Sequence, residues 1–128
     1  VLDIQVVEDH QQLPFKTAVQ QMISKGFQEV DFFGLDNHSA PEMIKYAGEM
    51  IQRSSQMLIV IEPHSEKAHL AKLIRLFNQL NRKKPLHVYV ALLGKHPLVE
   101  KMMKTMEARF RLGIDLPQLK LWAASLFA

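Results

Sequence analysis

The chain has no cysteine among its 128 residues. That excludes disulfides, thiolate metal sites and cysteine nucleophiles together, and the expected compartment is a reducing one, the cytoplasm. Glycine is scarce, and its five copies stand far apart. No P-loop, dinucleotide fingerprint or serine elbow can be built from them. The turn expected after the first strand, Glu8-Asp9-His10-Gln11-Gln12-Leu13-Pro14, is acidic and bulky where a flavin or dinucleotide phosphate would need small residues. No apolar run approaches the roughly 20 residues of a membrane span, and no secretion leader is visible at the start. Long blocks of one charge are missing too. The net charge of +3 is spread over solvated helix faces. Lys95, Lys101, Lys104, Arg109, Arg111 and Arg82-Lys83-Lys84 lack the interleaved aromatic residues of a base-stacking platform. Neither a membrane nor a nucleic acid is an expected partner.

What is present is the balance of a globular domain, 48% hydrophobic and 23% charged. Residues 1–128 fit a single α/β domain that can bury its own core without a metal or disulfide. Val1 at one end and the mostly apolar Leu121 to Ala128 at the other read as a domain taken from a longer chain. The organising stretch is Met57-Leu58-Ile59-Val60-Ile61-Glu62-Pro63. Five successive apolar residues have no polar face, so a strand made of them must be covered on both sides. Proline then ends its ladder.

Around that strand the sequence alternates. Leu2 to Val7 is a strand, and Leu13 to Lys25 carries a helical stripe of Phe15, Ala18, Val19, Met22 and Ile23 closed by Gly26. Glu29 to Leu35 is a second strand. Asn37 or Ser39 caps the next helix, with Pro41 in its first turn and Glu42 completing a capping box with Ser39. After Pro63, Ser65 is a cap candidate for a long helix whose stripe runs from Ala68 to Leu80 and ends at Asn81. Leu86 to Leu93 is the fourth strand. Pro97 opens a helix with Leu98, Val99, Met102, Met103, Met106 and Phe110 as its stripe, and Gln118 to Ala124 is expected as the fifth strand. The methionines fill the core, with Met103 and Met106 also placed to extend toward a partner. An apolar tail on an exposed edge strand would favour a homodimer to cover it.

Alternation of this kind gives right-handed crossovers and a parallel sheet between helical layers. The expected fold is a three-layer α/β/α sandwich, flavodoxin-like, with a five-stranded parallel sheet in the order 2-1-3-4-5 and four or more helices. The winding then reverses between strands one and three, and a crevice opens at their carboxyl ends. The candidate residues there are Glu8, Asp9, His10, Glu62, His64, Ser65, Lys95 and His96. Glu8, Asp9 and Glu62 are oxygen donors of the kind magnesium prefers.

Val6-Val7-Glu8-Asp9-His10-Gln11, followed by an amphipathic helix, resembles the first strand and acidic turn of response-regulator receiver domains. The resemblance implies magnesium at Glu8 and Asp9 and places Glu62 at the phospho-acceptor position, where those domains carry aspartate. Ala91 or Leu92 stands where they have a hydroxyl residue, and Lys120 would lie on the fifth strand. Ile51-Gln52-Arg53-Ser54-Ser55-Gln56-Met57-Leu58-Ile59-Val60 is similar to a passage of Toll/interleukin-receptor-type and nucleoside-processing domains. Glu66 is the acid that this likeness would assign to ribosyl chemistry in the following helix. The expectation drawn from all of this is a non-catalytic ligand- or protein-binding regulatory domain. A degenerate receiver-like regulator and a small nucleotide- or nucleoside-processing hydrolase or transferase are the alternatives. Its partner would be a protein or a second copy, with a small ligand also compatible.

Overall fold

Residues 57–61 lie in the middle of a parallel sheet and are fully covered. The computed structural model describes residues 1–9 and 13–128, and the expected contribution of His10 lies outside them. In chain order the elements are β1 (Leu2–Val6), α1 (Ala18–Gly26), β2 (Phe33–Asp36), α2 (Pro41–Arg53), β3 (Met57–Pro63), α3 (Leu73–Lys83), β4 (Val88–Leu92), α4 (Pro97–Met103), β5 (Phe110–Leu112) and α5 (Leu116–Leu126). The strands pair in parallel in the order β2-β1-β3-β4-β5. This is the flavodoxin-like sandwich that the alternation implied.

Strand periodicity divides the core in two. Leu2, Ile4 and Val6 of β1, Met57, Ile59 and Ile61 of β3, and Val88, Val90 and Leu92 of β4 face α2, α3 and α4. Leu58 and Val60 of β3 and Ala91 of β4 face the other way, toward Val19 and Ile23 of α1 and Leu119, Trp122 and Ala123 of α5. Met102, Met103 and Met106 are all buried, so none of them extends toward a partner.

Several expected elements are corrected. The first helix begins at Ala18, leaving Phe15 exposed ahead of it, and the second strand begins at Phe33 and not at Glu29. Gln118 to Ala124 is helical, not the fifth strand. Asp115 and Gln118 form a reciprocal capping box at the start of α5, and Leu119, Trp122 and Ala123 recur at three- and four-residue spacing toward the core. The fifth strand is Phe110–Leu112, inside the stretch expected to finish the preceding helix. That helix passes into a 3-10 turn over Lys104–Arg109 and breaks at Glu107, whose φ is 54°. The long helix from Ala68 begins only at Leu73: Ala71, with a φ of 50°, lies outside the right-handed helical region, and the carbonyls before it are bonded to distant side chains. His96 Nε2 donates to Ala68 O (2.8 Å) and Asn37 Nδ2 donates to His69 O (2.6 Å). Finally, α2 has Ala40 at its N-cap with no side-chain cap. Ser39 Oγ accepts instead from the Asp36 N–H (2.9 Å), and Asn37 is committed elsewhere.

Candidate functional site

β1 and β3 are neighbours whose connections wind in opposite directions, and their carboxyl ends are where sheets of this order place a crevice. Gln5 stands opposite Glu62 across the pair. Asp3 and Gln5 occupy alternate positions on β1 and share the α1/α5 face with Glu62 and His64 of β3 and the turn after it. Asp3 is only 1% exposed and Gln5 only 4%.

Their side chains are joined. Thr17 caps α1, its Oγ1 accepting from the Gln20 N–H (3.0 Å) and donating to Asp3 Oδ2 (2.7 Å). Gln5 Nε2 donates to Asp3 Oδ1 (2.8 Å), and His64 Nε2 donates to Gln5 Oε1 (2.6 Å). Burial pushes the Asp3 carboxyl up to about 6, and the charge of Glu62 adds to the rise. The hydrogen bonds from Thr17 and Gln5 and the nearness of His64 oppose it. A second link crosses the rim where Ser65 Oγ donates to Glu8 Oε1 (2.9 Å).

Asn37 ties the rim to the rest of the fold. Its Oδ1 accepts from the Val7 N–H (3.0 Å), and its Nδ2 donates to Val7 O (2.8 Å) as well as to His69 O. One buried amide therefore serves backbone groups at the end of β1 and in the 64–72 loop. Asn37→Ala strips those partners without offering water access, and the expected loss of stability is about 2–4 kcal/mol. A shift in urea midpoint checks it, and a loss below about 0.5 kcal/mol would show that the amide is dispensable.

The structure brings Glu8, Glu62, His64 and Ser65 to one rim. Asp9 and Lys95 are exposed beside it. His96 is not on the rim: it is 3% exposed, spanning Ala68 O and the Val99 N–H (3.4 Å) at the start of α4. Among the described residues no three histidine, aspartate or glutamate side chains gather around a position that could hold a metal ion, so Glu8, Asp9 and Glu62 are not brought together as a cation cage. Lys120 rides exposed on α5 and not on a strand. Glu66 lies exposed in the turn after β3, well before α3, so the likeness that placed it on a helix is not matched by geometry. Of the basic residues, Arg109 is taken up by the carbonyls of Pro85 and Lys84, and Arg111 stacks 4.4 Å from the Trp122 ring centre. Among the described residues no helix is long and apolar enough to cross a membrane.

Sequence reasoning passed over Asp3, Gln5 and Thr17, and offered Asn37 only as a helix cap. Compared with family models, curated proteins and solved structures, the chain shows no significant match.

Proposed function

We propose that this is a non-catalytic binding and regulatory domain whose recognition surface is the rim where β1 and β3 end. The observation that carries the reading is the buried carboxylate of Asp3 beneath that rim, tied to Gln5 and Thr17. Carrying a charge there costs folding stability, and such sacrifices cluster where a protein works rather than where it is merely held together.

The rim is arranged for recognition more than for turnover. A serine nucleophile is ordinarily activated by a histidine base, yet Ser65 gives its hydrogen to the exposed carboxylate of Glu8, and the hydrogen bond of His64 goes to Gln5. Glu62 is half-buried opposite Gln5, which suits a shape- and charge-determining role. The ligand is a small molecule or a segment of a protein partner that reaches into the crevice.

Amide spectra of the 15N-labelled chain test this. A set of small polar fragments is expected to shift residues 5–9 and 62–65, with no hydrolysis of nucleosides or nucleotides. Magnesium with beryllium fluoride, a phosphoryl mimic, is expected to leave Glu8, Asp9 and Glu62 unmoved. Nucleotide turnover abolished by Glu66→Ala would overturn the reading in favour of an enzyme. Strong beryllium fluoride shifts at Glu62 would overturn it in favour of a phosphoryl-responsive regulator.

A further inference from the structure

The bonds from Asp3 to His64 have a direction. An ionised carboxylate only accepts hydrogen bonds, so Gln5 must turn its NH2 toward Asp3 Oδ1. Its carbonyl oxygen is thereby left facing His64, and Nε2 of that imidazole must carry the hydrogen it donates across 2.6 Å. In a neutral imidazole a proton on Nε2 leaves Nδ1 with a lone pair. His64 is exposed, and its Nδ1 meets no hydrogen-bond partner among the described residues.

We propose that Asp3, acting through Gln5, is a positioning residue that fixes His64 as a hydrogen-bond acceptor at Nδ1, where it takes a hydroxyl or amine hydrogen of the ligand. The assignment rests on the rim being the binding surface and adds the chemistry of what binds. The neighbouring groups agree with it: Glu8 and Glu62 also present acceptor oxygens along the same rim, so a donor-rich ligand is matched and a carboxylate or phosphate ligand is opposed. Thr17 supplies the second hydrogen bond to Asp3, which anchors the start of the relay to α1.

Imidazole 15N spectra of the full chain at pH 8 read the tautomer directly. In the parent chain His64 is expected almost wholly as the Nε2–H form. In Asp3→Asn the amide can donate or accept, so the order of Gln5 is no longer dictated. The Nδ1–H form should then rise from under about 5% to about 20% or more. Gln5→Met, which keeps the shape but removes the link, should release the tautomer in the same way. Thr17→Val keeps the Asp3 charge and should leave the tautomer unchanged, although it weakens α1. Millimolar ethanolamine, which carries only donor hydrogens at this pH apart from its hydroxyl oxygen, should shift the Nδ1 resonance, and acetate, which only accepts, should not. A parent chain with the hydrogen on Nδ1, or an unchanged tautomer in both Asp3→Asn and Gln5→Met, overturns the relay. A fixed tautomer that responds equally to acetate, or to neither probe, overturns the recognition role. The fragment shifts at residues 5–9 and 62–65 judge the binding reading separately.

Discussion

Asp3→Asn is expected to stabilise the folded chain by roughly 2 kcal/mol at pH 8 and to change little at pH 4. The Asp3 carboxyl moves from its ordinary 3.8 to about 6 on folding, chiefly because burial disfavours its charge. Between those two pH values the folded chain keeps a proton that the unfolded chain has already released. Stability therefore falls as the pH rises through that window, and above it the loss is complete, at about 3 kcal/mol. The groups facing Asp3 are Thr17 and Gln5, which favour its charge through hydrogen bonds, His64, which favours it by proximity, and Glu62, which opposes it. Asparagine carries no charge and escapes most of the cost, although its amide pairs less well with two donors. In thermal unfolding the variant should melt about 6–10 °C higher at pH 8, with the two curves converging toward pH 4. Equal stability at pH 8 would mean that Asp3 is ionised without penalty. The idea that the rim sacrifices stability would then go.

Phe77→Ala is expected to cost about 3–5 kcal/mol. Phe77 is fully buried on the inner face of α3, in the cluster that holds Ile59 and Ile61 of β3 and Val90 and Leu92 of β4. The helix has no side-chain cap at its start, where Lys72 precedes it. Its place on the sheet consequently depends on Leu73, Leu76, Phe77 and Leu80 more than on its ends. Losing the ring leaves a void that the surrounding strands cannot close, since β3 and β4 are held in register by their ladder. The urea midpoint measures the loss at unchanged slope. A cost below about 1.5 kcal/mol would mean that α3 repacks freely. The 64–72 loop, which carries His64 and Ser65 and leads into this helix, should lose amide-exchange protection together with it.

The sheet was legible because its central strand is apolar on both faces, and Met57 to Ile61 admits few other readings. The α/β rhythm then supplied the strand order. The carboxyl-end rim followed from that order, and with it Glu8, Glu62, His64 and Ser65. One kind of information was not in the local pattern. The segment from Ala68 to Lys72 has helical composition, but its carbonyls are claimed by Asn37 and His96, which lie far away in sequence. Leu119, Leu121 and Trp122 suit either a strand or a helix, and the local signal that decides for the helix, the capping box of Asp115 and Gln118 around Pro117, went unread. Asp3 and Gln5 had a signal that went unread. Two polar residues at a spacing of two, on a strand flanked on both edges, must point at one buried face and therefore at each other's partners. Thr17 had no such signal, since its role depends on where α1 begins over β1.

The most direct measurement is the pH titration of the Asp3 side-chain carboxyl carbon by 13C NMR in the folded chain. A midpoint close to 6, moving downward when Glu62→Gln removes the neighbouring charge, is the result expected of a buried carboxylate beneath the rim. A midpoint near the ordinary 3.8 would place Asp3 in contact with water, and the relay from Asp3 to His64 would lose its fixed end.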